Sequence, residues 1–220
     1  MGFFVEKAYP EYIISSKMRL QIYKPNAKST GNAATFEVGY RDGKPEFYVS
    51  FIKQSGWDSK TNNGSFKGNK DDPSKNINMK LNEFELGEIL NAFNRFLPWS
   101  GFHSFGGNNT SLLLSPWKKS KNVKLKAGNE SIDVHAYGFS VFRSGTSFAI
   151  ALEPGEIEVL KELIKYFYRV TFDKKAADQK KYLQSRSRAS HNDPKPNEEA
   201  KVEPKEVSKT QPKVDEEVPF

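Results

Sequence analysis

Cysteine is absent from the 220 residues, which excludes disulfides, thiolate metal sites and cysteine nucleophiles. Histidine is scarce: His103, His135 and His191 are scattered, and apart from Asp133 beside His135 no carboxylate stands at metal-ligand spacing. Long apolar runs are missing, and none approaches the roughly 20 residues that cross a bilayer. Residues Met1 to Lys7 lack the basic stretch and apolar run of a secretory signal, and Glu6 stands where a myristoylated Gly2 would need Ser or Thr. Gly64 to Lys70 holds Gly and Lys without phosphate-loop spacing, and Asn63-Gly64-Ser65 is a glycosylation pattern without a secretory route. A soluble chain without catalysis, cofactor or metal is expected.

What is present is aromatic and basic. Phe, Tyr and Trp make up 13% of the chain and are concentrated in its first three quarters, where β-branched residues alternate, a pattern that favours sheet over helix. The formal net charge is +7. From Asp173 onward 11 Lys and Arg stand against 10 Asp and Glu, which leaves 23 basic and 17 acidic residues, or +6, before it. Such a field attracts polyanions, nucleic acid first and an anionic membrane surface second.

Lys17 to Lys24 alternates, with Met18, Leu20 and Ile22 facing one way and Lys17, Arg19, Gln21 and Tyr23 the other. Thr35 to Arg41 and Phe47 to Gln54 read as a hairpin turned by Asp42-Gly43. A polar loop, Ser55 to Lys75, precedes a fourth strand, Asn76 to Leu81. Asn82 with Glu85 then forms a capping box for a helix to about Phe96, ended by Pro98. The pattern runs again: strands at Thr110 to Leu114, Asn122 to Lys126, Ser131 to Phe142 and Ser147 to Leu152, then a helix from Pro154 to Tyr168. A slide of 71 positions lays Ile77, Met79, Leu81, Glu85, Leu86, Ile89 and Phe96 on Phe148, Ile150, Leu152, Glu156, Ile157, Leu160 and Phe167.

The expected fold is α+β: two repeats, about 17–97 and 108–172, each a four-stranded antiparallel sheet plus a helix, in a core of residues 1–172. Beyond Phe172, Lys, Glu, Pro, Ser and Gln dominate, and 173–220 is expected to be a disordered tail.

Basic and aromatic residues interleave on the strands' polar faces. The candidates are Lys17, Arg19, Tyr23, Lys24, Arg41, Tyr48 and Lys53 in the first unit, and Trp117, Lys118, Lys119, Lys124, Tyr137 and Arg143 in the second. Lys121, Lys126 and His135 accompany the latter group. Cations hold phosphates and rings stack unpaired bases, each stack contributing roughly 1–3 kcal/mol. Trp57 stands among Lys53, Lys60, Lys67 and Lys70 in the long loop, with Phe66 midway; Trp57 and Lys67 join the candidates. Phe102 and Phe105, flanked by Gly101, Gly106 and Gly107, read as a second flexible aromatic segment.

The last residues, Asp215-Glu216-Glu217-Val218-Pro219-Phe220, resemble the acidic tip of bacterial single-stranded DNA-binding proteins, and a phage protein ending in an acidic stretch and Phe would look similar. That resemblance implies that the carboxylate and Phe ring enter a basic-rimmed pocket on a replication or recombination protein. Two copies of four strands and a helix resemble the Whirly and Pur-type single-strand binders, over roughly Lys17 to Phe172. The Whirly Lys-Gly-Lys-Ala-Ala motif has no copy here, so no individual residue is carried over. Together these features lead us to expect a non-enzymatic protein that coats and protects single-stranded DNA in replication, recombination or repair. RNA binding or transcription regulation through the same face is the alternative, and a homo-oligomer is left open. Its expected place is the cytoplasm, nucleoid-associated, or the host cytoplasm were it phage-encoded, with no membrane partner.

Overall fold

A computed structural model describes residues 17–125 and 128–190. The chain runs β1 (Met18–Lys24), β2 (Asn32–Arg41), β3 (Lys44–Lys53), β4 (Gly56–Asp58), β5 (Asn63–Ser65), β6 (Asn76–Leu81), α1 (Glu83–Arg95), β7 (Trp99–Phe105), β8 (Asn108–Leu125), β9 (Gly128–Arg143), β10 (Thr146–Leu152) and α2 (Pro154–Ser190). Two four-stranded antiparallel sheets result, ordered β1-β2-β3-β6 and β10-β9-β8-β7, with β4 and β5 forming a small separate hairpin. The fold is α+β, and each sheet is followed by one helix. Up to Gln179 the chain is one compact unit. In the second unit, from Lys180, the described residues are the remaining turns of α2, where the Arg186 guanidinium lies over the Tyr182 ring at 5.8 Å.

Three hairpins close on two-residue turns, Asp42-Gly43, Gly106-Gly107 and Ser144-Gly145, and all six turn residues have positive φ. That geometry matches the twist of the strands it joins. In α1, Asn82 Oδ1 accepts from the Phe84 and Glu85 amides while Glu85 Oε2 accepts from the Asn82 amide, as the capping box requires. The residue 71 positions on behaves alike, since Glu156 Oε2 accepts from the Glu153 amide at 2.8 Å. The two glutamates' other oxygens reach across: Glu85 Oε1 lies 2.6 Å from His103 Nε2 on β7, and Glu156 Oε1 accepts from Lys24 Nζ on β1 at 2.6 Å. Each helix start is thereby tied to the first strand of the other sheet.

One core serves both sheets and both helices. Phe36 and Phe51 pack on Phe139 with centroids 6.0 and 5.5 Å apart, and Phe47 meets Phe167 of α2 edge-on at 5.8 Å. The expected stripes hold: Leu86, Ile89 and Phe93 of α1 and Ile157, Leu160, Leu163, Ile164 and Phe167 of α2 are buried.

Three differences from the sequence-based expectation concern boundaries. Trp99 to Phe105 is a strand rather than a flexible segment, so the second sheet begins at Trp99, not near 108. The separate strands expected at 110–114 and 122–126 are one strand, β8, running through Pro116. Pro116 stands just past Leu114, the last residue paired with β7, where β8 has become an edge and a missing donor is tolerated. Finally, α2 continues through Ser190 instead of ending at Tyr168. Phe172 is followed by Lys, Ala, Gln and Leu with no Pro or Gly before Pro194, and Lys174 pairs with Asp178 at 2.6 Å. High helix propensity and that i,i+4 pair sustain a solvated helix that burial alone would not. The expected disorder therefore fails for 173–190, and residues 191–220 lie outside the described ones.

The Asn- and Gly-rich stretch from Ser55 to Lys75 is pinned. Gln54 is buried, accepts from the Asn26 and Gly31 amides and donates to the Asn26 and Gly56 carbonyls. Asn69 Nδ2 donates to the Lys53 carbonyl at 2.9 Å, and Asn76 Nδ2 to the Asp72 carbonyl at 3.0 Å. Gly31 has no room for a side chain, because a Cβ there would sit 2.3 Å from the Lys24 carbonyl oxygen. Replacing Gln54 by Ala strands several of these partners, at a cost of roughly 1–3 kcal/mol each where water cannot reach. We expect chemical denaturation of Gln54→Ala to show a lowered midpoint with an unchanged slope.

Candidate nucleic-acid interface

Alternation decides which side chains each sheet leaves in water. On the first sheet the register places Arg19 opposite Glu37, Glu37 opposite Tyr48 and Tyr48 opposite Lys80. Lys17, Arg19, Tyr23, Arg41 and Tyr48 therefore share the outer face, as expected. An open groove on it is lined by Lys17, Thr35, Glu37, Gly39, Tyr40, Tyr48, Ser50 and Asn78.

Much of this face's charge is already matched. Arg19 reaches Glu37 at 2.6 Å with Lys17 at 3.7 Å from the same carboxylate, and Lys80 reaches Glu46 at 2.6 Å. The Tyr48 hydroxyl donates to Glu46. Burial alone would raise the Glu46 carboxyl, but the bonds from Lys80 and Tyr48 outweigh it and hold it below the usual range. The Tyr48 hydroxyl is pushed up, chiefly by its bond to Glu46 and then by burial. Arg41 is exposed and in no ion pair among the described residues.

The second sheet's outer face is of another kind. One cross-strand row reads Phe102 on β7, Ser111 on β8, Phe142 on β9 and Ser147 on β10. Phe102 is 63% exposed and Phe142 51%. With strands ~4.8 Å apart, the two Phe positions lie roughly 10 Å apart across Ser111. The next row carries Ser100, Leu113, Ser140 and Ala149, so the rings stand beside one exposed leucine, Leu113 at 47%, among otherwise small side chains. Trp117 lies on the same face and is 38% exposed. Among the described residues, none of these three rings touches another ring.

Beyond Leu114, β8 no longer has β7 beside it, and before Tyr137, β9 has no β10. The segments left, Pro116 to Leu125 and Gly128 to Ala136, form a two-stranded ribbon. Lys118, Lys121 and Lys124 are exposed there, Lys118 and Lys124 on the face shared with His135 and Asp133, Lys121 on the face of Trp117. Ser120 Oγ donates to Asp133 Oδ1 at 2.8 Å. Lys119 pairs with Val134 through the backbone, and its side chain is outside the described set.

The structure thus divides the candidates instead of gathering them on one surface. Tyr137 is a correction: it is 1% exposed, packs edge-on against Phe93 at 5.0 Å and donates its hydroxyl to the Ala92 carbonyl at 2.6 Å. Arg143 also points to the inner side, half-buried, with Nε donating to Thr110 Oγ1 at 2.7 Å, and burial pulls its pKa down. Lys24 lies on the inner side of β1's end and is held by Glu156, while Lys53 ends β3 on the inner side, 5.4 Å from the Phe148 ring centre. Trp57 is half-buried on β4, and Lys67 is exposed beyond β5. Residues Asp215, Glu216, Glu217, Val218, Pro219 and Phe220 lie outside the described residues.

Sequence reasoning missed Phe102 and Phe142 as exposed rings, although β9 held the signal. Tyr137, Phe139 and Val141 share one parity and Phe142 takes the other, so a core role for the first three puts Phe142 in water. Among the described residues, no cluster of three His, Asp or Glu could hold a metal, and no helix is long and apolar enough to cross a membrane.

No family model and no curated protein matches the chain. Among solved structures it is similar to MRP1/MRP2 of Trypanosoma bruciei, with a TM-score of 0.37 and 12% identity over 70% of this chain and 87% of that one.

Exposed and buried rings separate by stability. Phe102→Ser with Phe142→Ser should leave the unfolding free energy within about 0.5 kcal/mol of the parent, as solvated positions do. Tyr137→Phe should lower stability by about 1 kcal/mol through removal of its hydrogen bond.

Proposed function

We propose that this protein binds single-stranded DNA without strong sequence preference, stacking unpaired bases on the outer face of its second sheet. What carries the reading is the pair Phe102 and Phe142, two solvated rings in one cross-strand row of an uncharged surface. Isolated exposed rings gain nothing from packing, and a π-face accepts any base. Trp117 extends the platform toward the ribbon, where Lys121 on the same face supplies a phosphate contact and Lys118 and Lys124, on the ribbon's other face, add to the local positive field. The first sheet's outer face, with Lys17, Arg19, Arg41 and Tyr48, offers a second and more neutralised surface. The order of four strands and a helix, met twice, is consistent with the Whirly and Pur-type arrangement, in which antiparallel sheets carry the nucleic acid. In this reading the protein coats and protects the strand during replication, recombination or repair, without chemistry of its own. The tip from Asp215 to Phe220 then tethers partner proteins to the coated strand.

Titration with oligo-dT tests this directly. Trp117 emission should quench on binding, and Phe102→Ala and Phe142→Ala should each weaken affinity by about 1–3 kcal/mol, roughly 5- to 150-fold. Affinity should fall linearly with salt on logarithmic axes as counterions are released. A salt-independent affinity, or a double ring variant that binds like the parent, overturns the proposal. A matched RNA strand measured alongside sets the preference between the two nucleic acids.

Removing 215–220 should leave oligo-dT affinity equal or higher, since an acidic competitor is gone, and abolish recruitment of a partner scored by pull-down with DNA present. Equal recruitment by the truncated chain removes the tip from the account.

A further inference from the structure

A polar cleft opens where the start of β2 and the end of β3 face the β9–β10 turn. Its walls include Lys53, Lys75, Thr30, Ser55, Thr146 and Ser147, and no carboxylate lines it. Lys53 forms no ion pair among the described residues, and its ammonium is held only over the Phe148 ring. Lys75 has one exposed partner, Asp72 at 3.2 Å. Exposed pairs of that kind contribute about 0–1 kcal/mol and yield to a better anion. Two ammonium groups and a ring of hydroxyls without a carboxylate form a donor-rich hollow suited to the oxygens of a phosphate.

The hollow is built rather than incidental. Gln54 and Asn69, both buried, fasten the backbone around it: Gln54 accepts from the Gly31 amide at 3.2 Å, and Asn69 donates to the Lys53 carbonyl at 2.9 Å. Its far wall is continuous with the ring platform, because Ser147 is the β10 partner of Phe142 in the Phe102-Ser111-Phe142 row. One inter-strand step of roughly 5 Å therefore leads from the outer ring to the cleft's edge.

We propose that this cleft holds a backbone phosphate of the strand whose bases lie on Phe102 and Phe142, fixing the strand's path across the β9–β10 turn toward the first sheet. The proposal rests on the base-stacking reading of the second sheet. Lys53 and Lys75 neutralise the phosphodiester while Thr146 and Ser147 donate hydrogen bonds to it, so the cleft contributes to affinity and salt dependence and not to base stacking.

The test compares the full chain with Lys53→Gln combined with Lys75→Gln, using oligo-dT over a salt series. The double variant should bind roughly tenfold more weakly at low salt, with a logarithmic salt slope flatter by about 1.4, or 0.7 for each lysine that no longer neutralises a phosphate of the single strand. The Trp117 quench at saturation should stay the same, because the rings still stack. Lys161→Gln with Lys165→Gln removes the same charge from α2 and should leave the slope unchanged. If the parent binds and the cleft variant keeps its slope, or the two double variants flatten it equally, the cleft proposal is wrong while base stacking stands. If the parent binds no oligonucleotide, the base-stacking reading itself fails. Should inorganic phosphate raise the parent's thermal midpoint and not the variant's while both share one oligo-dT slope, the cleft serves free phosphate and the strand path is overturned.

Discussion

The two sheets and both helices, as far as Gln179, are arranged around one shared core. Phe36 and Phe51 from the first sheet meet Phe139 and Phe148 from the second, and Phe47 meets Phe167 of α2. A four-stranded sheet has two faces, and here each gives most of one to that core, with Lys24, Lys53 and Arg143 at its margins. The helices are held to it by more than apolar contact, since the Tyr137 hydroxyl donates to the Ala92 carbonyl at the end of α1 and the Tyr168 hydroxyl to the Glu83 carbonyl at its start. Glu85 and Glu156 add a cross-tie each, binding their own helix's N-cap amide with one oxygen and the opposite sheet's first strand with the other. With both inner faces consumed, any ligand must be met by outer faces, strand ends or the ribbon.

The two outer faces have resolved the demands of water differently. The first sheet places Glu37 and Glu46 in the middle of its cations, so Lys17, Arg19 and Lys80 lie within an internal network. A phosphate arriving there competes with carboxylates already in place, and the field it meets is weak. The second sheet keeps its exposed rings and its lysines apart. Phe102, Phe142, Leu113 and several serines occupy the outer face of the four strands, while Lys118, Lys121 and Lys124 stand on the ribbon. A ring set among uncharged neighbours keeps its face open to solvent.

The sequence made the local devices plain and left the neighbour-dependent ones obscure. The Asp42-Gly43 hairpin, the Asn82-Glu85 box and both helix stripes are local, and spacing alone marks them. The 71-residue slide lays Glu85 on Glu156, and each accepts from the backbone amide three residues before it. β7 was obscure because Ser100, Gly101 and Ser104 carry little strand propensity; it exists because β8 lies beside it. β8 looked broken at Pro116, and only the end of β7 at that point explains why the strand survives. Tyr137 is expected on the wet face with the ribbon's basic residues, yet its parity with Phe139 and Val141 sends it inward. The α2 extension was obscure for the opposite reason: composition measures the means to bury surface, and a helix rich in Lys, Ala and Gln needs little burial to persist.

Phe102 and Phe142 are, with Phe84 of α1, exposed rings that folding does not account for, and among the described residues they alone are aligned on one sheet face. An exposed strand position on a serine-rich face is satisfied by Thr, Lys or another Ser, and this sheet uses Ser at positions 100, 104, 111, 115, 140 and 147. Cross-strand pairing does not explain the two rings, because each faces Ser111 rather than the other. Core packing does not explain them either, as both are more than half exposed. Protection against edge-to-edge association would call for charge, and on the ribbon the chain does use lysine. Large apolar surface kept in water at two aligned positions, with no structural return, is the mark of a surface selected for what it contacts. The row continues through Ser147 to the edge of a cleft that no carboxylate lines, so apolar rings and a cationic hollow lie one strand apart.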